Sequence, residues 1–204
     1  MNGKGLWLTL FFGVLLWSAV EPRNRFIWFL EVLPALLGLM VLAATRHRFP
    51  LTPLNYVLIL IHSIILMVGA HYTYSEMPLF EWLQEQFGWQ RNNYDKVGHF
   101  AQGFVPAMIA REILIRKQVV NGRGWLNFLI LCFSLALSAF YELIEWWIAL
   151  LTGEPQTVVL ATQGDVWDTQ SDMLLALLGA ATALLTLNKL HNQQLATRFR
   201  AHIK

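Results

Sequence analysis

Apolar residues run along this chain in blocks too long to be the buried face of a soluble helix, and the polar residues gather between them. Six blocks stand out, at 6–20, 26–44, 54–72, 97–115, 125–151 and 173–187. Crossing a bilayer takes about 20 mostly apolar residues in helical form, because in hydrocarbon every backbone N–H and C=O must be satisfied within its own segment. The pattern therefore predicts an all-α, polytopic transmembrane helix bundle of six spans. Short links between the blocks predict one integral membrane domain over 1–204. One interval has a different period. In "SEMPLFEWLQEQFGW", Leu79, Trp82, Leu83 and Phe87 recur at helical spacing, with Glu76, Glu81, Gln84 and Glu85 around the rest of the wheel and Gly88 as a stop. That predicts a short amphipathic helix on the membrane surface.

The first block follows Lys4 and is short, as in a secretory signal peptide. No small-x-small site precedes Glu21, and Trp17 and Val20 stand where small residues are needed, so a retained helix is expected. Composition agrees with the spans: 56% of the 204 residues are hydrophobic and 14% charged, outside the range of ordinary soluble domains. Nine Trp and thirteen Phe suit a lipid-facing surface and interfacial belts. The single cysteine, Cys132, lies in an apolar block, which leaves no internal disulfide and no cysteine metal site. A net charge of +2 gives no basis for a nucleic-acid partner; the expected partner is the lipid bilayer.

Where the basic residues fall is more informative than their sum. If the N-terminus is inside, that side holds Lys4, Arg46, Arg48, Arg116, Lys117, Arg123, Lys189, Arg198, Arg200 and Lys204, ten residues, and the other side holds Arg23, Arg25, Arg91 and Lys96, four. The positive-inside bias predicts both termini in the cytoplasm, with 188–204 as a basic cytoplasmic tail. This topology then brings scattered polar residues to the outer side. "YDKVGHF" supplies Asp95, Lys96 and His99 at the start of the fourth span; "YELIEWW" supplies Glu142 and Glu145 in the fifth; "QGDVWDTQSD" supplies Gln163, Asp165, Asp168 and Asp172. Asp95 and His99 are four apart, Glu142 and Glu145 three, Asp168 and Asp172 four, so each pair shares a helix face. Carboxylates within a span are costly and need a proton, a partner or water; Lys96 and His99 are the expected cationic partners.

The order "DKVGHF", a glutamate-bearing aromatic helix, and an acidic loop entering "DMLLALLGA" resembles the VanZ-like membrane proteins, and more closely the YjdF group of bacterial inner-membrane proteins. The resemblance implies a multi-pass protein of the bacterial inner membrane. It places the group's motif residues on Asp95, Lys96, His99, Glu142, Asp172 and Gly179. Glu145 stands where many VanZ-like proteins have glutamine, and Ala176 where asparagine is expected.

Three readings follow. In the first, Asp95, Lys96, His99, Glu142, Glu145, Asp165, Asp168 and Asp172 form an outward cluster that binds a lipid headgroup or envelope precursor. In the second, His99, Glu142, Glu145, Asp168 and Asp172 hold a divalent metal that activates water against a phosphate ester at the outer leaflet. In the third, Glu31, His62, Glu142 and Glu145 serve proton-coupled transport. Against all three stands interhelical glue, the same side chains satisfying one another with no ligand. Elsewhere, His62 reads as a hydrogen-bonded core residue, Glu112 and Arg116 as an i,i+4 surface pair, and His47, His191 and His202 as surface residues.

Overall fold

The computed structural model describes residues 3–152 and 162–199. Among these the chain is all helical, in the order α1 (Gly3–Ser18), α2 (Arg25–Thr45), α3 (Pro53–Tyr72), α4 (Pro78–Phe87), α5 (Tyr94–Arg116), α6 (Arg123–Thr152) and α7 (Asp168–Phe199). Local sequence sets several boundaries. The Asn24 side chain accepts from the N–H groups of Phe26 and Ile27 to start α2. Thr52 caps α3, whose first residue, Pro53, has no N–H to satisfy. Gly88 ends α4 with φ +63°, donating its N–H to Gln84.

By length and composition α2, α3, α6 and α7 qualify as membrane spans, which is four against the six blocks read from the sequence. Helix α1 is apolar but has only 16 residues. Helix α5 has the length, at 23 residues, but buries Asp95, His99, Arg111 and Glu112 along its course. It is a helix made to face other helices.

Its main partner is α7, and small residues let the two backbones touch. A Cβ added at Gly103 would overlap the carbonyl of Ala176, and one at Gly179 the carbonyl of Phe100. Ala107, Ala176, Ala180 and Ala183 complete a buried seam of small side chains. The contacts advance together along both helices, from His99 with Asp172 to Glu112 with His191, so α5 and α7 run in the same direction. Helix α1 lies along α3 in the same sense: Trp7 Nε1 donates to Tyr56 O at 2.8 Å, and His71 Nδ1 faces Ser18 O at 3.1 Å. Phe11, Val32, Ala35, Met67 and Ala70 form the core shared by α1, α2 and α3.

The bundle thus has two unlike ends. One gathers the starts of α1 and α3 and the ends of α5 and α7, with Lys4, Arg46, Arg48, Arg116 and Lys117. The other gathers the starts of α5 and α7 and most of the carboxylates. Helix α4 sits at this acidic end, with Phe80 on the Tyr94 ring (centroids 5.4 Å apart) and Leu79, Trp82 and Phe87 exposed.

The stretch expected to be a basic tail continues α7 as far as Phe199, while Arg200, His202 and Lys204 lie outside the described residues. This overturns two surface assignments, because His191 and Glu112 are both 0% exposed. Helix α7 outruns its apolar block, and its polar extension packs on the start of α3 and the end of α5. Gln194 Oε1 accepts from Leu54 N at 2.9 Å, which ties that extension down.

Candidate functional site

At the acidic end, α5 begins at Tyr94, so Asp95 and His99 lie in its first two turns, one above the other, facing α7. His99 Nε2 stands 3.4 Å from Asp95 Oδ1 and 3.8 Å from Asp172 Oδ2, the latter carried one turn into α7. All three residues are buried, and each offers one ligand atom within 4.8 Å of the others. The opposite ring nitrogen, Nδ1, faces Gln102 Oε1 at 3.0 Å and Glu142 Oε1 at 3.8 Å. Oxygen acceptors thus flank both ring nitrogens, and the one within hydrogen-bond distance, Gln102 Oε1, can hold a proton on Nδ1.

Charge balance comes from a residue the sequence reading left out of the cluster. Arg91, in the link before α5, pairs with Asp168 and lies 3.6 Å from Asp165 and 3.6 Å from Asp95. Burial works against its charge, and the carboxylates of Asp168, Asp95 and Asp172 more than offset this, holding its pKa above the ordinary arginine value. The spacing in "RNNYD" was a usable signal, since Arg91 and Asp95 are four apart. Lys96, the cation expected from the motif, is only half-buried and makes no ion pair among the described residues. It is one position on from Asp95, about 100° around the helix, and faces away. The loop before α7 is held against the same link: Gln163 accepts from Asn92 N and donates to Asn92 O, each at 2.9 Å.

The expected pairs therefore divide their work. Asp95, His99, Asp172 and Glu142 come together; Asp165 and Asp168 belong to Arg91; Glu145 faces a cavity instead. That cavity, about 630 Å³, lies between α2, α3, α5 and α6. Its polar end presents Glu31, Tyr74, Asp95, His99, Tyr141 and Glu145. Its walls are apolar, including Ala35, Leu42, Ile59, Leu66, Val105 and Ile109, and its far end reaches Thr45, Arg48 and Lys117. From Glu31 to Thr45 the α2 wall runs 14 residue steps, about 21 Å. Beyond Glu31, Ile27 of α2 packs on Ile148 and Ala149 of α6. Half-buried His62 also lines this space, and its buried Nε2 has no hydrogen-bond partner among the described residues, so the bond expected of a core histidine is not made there.

A second polar cluster, at the basic end, went unseen in the sequence because its bonded members are as much as 81 residues apart. Glu112 accepts from Thr52 N (3.1 Å), Thr52 Oγ1 (2.7 Å), Asn55 Nδ2 (2.7 Å) and Arg116 Nη1 (2.8 Å), and faces His191 Nε2 at 3.3 Å. Arg111 donates to His191 Nδ1 and to Asn192 Oδ1. Both glutamate oxygens are engaged, so this cluster is interhelical glue joining α3, α5 and α7.

A multi-pass, all-α membrane protein with a buried carboxylate and histidine cluster opening on an apolar cavity is the class that fold and site define. Within it, the chain belongs to the family described as predicted membrane proteins (DUF2238), which matches residues 4–193. It is similar to the inner membrane protein YjdF of Escherichia coli strain K12, with 50% identity over 195 residues, 96% of this chain and 92% of that protein. No solved structure matches the chain. It is a multi-pass protein of the inner membrane.

Proposed function

We propose that this protein binds an amphipathic, lipid-class ligand from the membrane, with the headgroup among Glu31, Asp95, His99 and Glu145 and the apolar chain along the α2, α3 and α5 walls. One observation carries the reading: a cavity of about 630 Å³ that begins at the polar cluster and continues between apolar walls. That size is ordinary for a ligand site, and the apolar lining with a few convergent polar groups is the usual composition of one. Carboxylates accept hydrogen bonds, so hydroxyl- or amine-bearing headgroups of a lipid or envelope precursor suit this end. Basic loops favour the cytoplasm, so the Arg48 and Lys117 end with both termini is assigned inward and the cluster outward. Proton transport has less support, because Glu112 and His191 are spent on one another and neither lines the cavity.

The test fills the cavity without touching its polar end. Gly38 lines it, and a Cβ there meets nothing within 4 Å, so Gly38→Trp adds a ring to open space. Native mass spectrometry of the purified protein should find a retained lipid in the wild type and at least about tenfold less in the variant, a loss of about 1.4 kcal/mol. Equal lipid content in a folded variant would sink the reading.

A further inference from the structure

We propose that Asp95, His99 and Asp172 form a binding site for one divalent cation of hard to borderline character, Mn²⁺ or Zn²⁺. Geometry is the first support. Donors bound at about 2.1 Å to a single ion stand roughly 3 to 4 Å from one another. His99 Nε2 is 3.4 Å from Asp95 Oδ1 and 3.8 Å from Asp172 Oδ2, so small side-chain shifts close a tripod.

Proton placement is the second. Gln102 and Glu142 offer oxygen acceptors to Nδ1. With the proton there, the Nε2 lone pair and two carboxylate oxygens face one another, a contact that a cation between them relieves, as would a second proton on Nε2. Outer partners of this kind are what fix a ligating imidazole.

Unspent acceptors are the third. Asp172 is 2% exposed, yet its Oδ1 has no hydrogen-bond partner among the described residues. Arg91, the nearest strong cation, is committed to Asp168 and Asp165 and reaches only the outer oxygen of Asp95. Carboxylates with one imidazole and no thiolate suit Mn²⁺ and Zn²⁺ better than a soft ion. Asp95 and His99 both line the cavity, so coordination positions not taken by protein face it and are open to water or to an oxygen of a headgroup.

The site stands whether or not a lipid occupies the cavity, and the experiment keeps the two apart. Purified full-length protein is stripped with chelator and titrated with Mn²⁺ alone, and bound metal is read by electron paramagnetic resonance with spin-echo detection of nitrogen coupling. The expected result is one Mn²⁺ per chain with coupling from a single imidazole nitrogen. Asp172→Asn and His99→Gln should weaken binding by more than about 100-fold, and Glu142→Gln by about 10- to 100-fold, as for an outer partner. Lys96→Ala and Gly38→Trp should bind as wild type does. Absence of saturable binding, or of nitrogen coupling, in the wild-type protein overturns the proposal by itself, whatever the variants do. Equal affinity in folded His99→Gln also overturns it.

Discussion

At the scale of single residues, the cluster depends on which cation meets which carboxylate. Arg91 is buried between Asp168, Asp165 and Asp95, and its loss strands the buried carboxylates of Asp168 and Asp95. Removing one partner of a buried ion pair costs about 3 to 5 kcal/mol. Arg91→Ala should therefore lower Tm markedly in detergent, while Lys96→Ala, with no ion pair to break, should change stability by no more than about 0.5 kcal/mol. Similar Tm values for the two variants would contradict this division of roles. Asp95, His99 and Asp172 were legible in the sequence because four-residue spacing and topology sufficed to bring them together. The choice of Arg91 over Lys96 was not, since it turns on the rotational phase of α5 against α7, which only packing sets.

Helices carry a different constraint. The α5 and α7 backbones meet at Gly103 and Gly179, and a side chain at either position would have to displace main chain of the other helix. Overpacking ordinarily costs about 1 to 3 kcal/mol, and displaced backbone belongs at or beyond the top of that range. Gly13, on α1, has nothing within 4 Å of an added Cβ. Gly103→Leu and Gly179→Leu should lose folded yield and thermal stability, whereas Gly13→Leu should retain both; a Gly103→Leu protein melting like wild type would refute the close crossing. The apolar blocks announced the helices that face lipid. They missed the last three turns of α7, where buried His191 and half-buried Gln194 are held by polar contacts that leave no hydrophobic period.

For the molecule as a whole, the main statement is the asymmetry of charge between its ends. It predicts a sidedness that chemical labelling can check. With Cys132 replaced by serine, cysteine at Val166 tests the acidic end and cysteine at Val119 the basic end; the native side chains are 83% and 59% exposed. An impermeant maleimide applied to intact spheroplasts should modify position 166 and spare 119 until the cells are opened. The reverse pattern would invert the molecule and end the proposal of an outward headgroup.

One consequence of the α7 contacts concerns the order in which the chain is made. Asp172 completes the group around His99, and His191 completes the group around Glu112, so a single helix finishes both polar centres at opposite ends of the bundle. Every helix before it leaves the ribosome first. Until α7 docks, Glu112 lacks His191 and His99 lacks Asp172, each in an environment that penalises unpaired polar groups. An unfinished chain therefore differs from a finished one at both ends of the bundle, and the last helix to be made is the one that completes each.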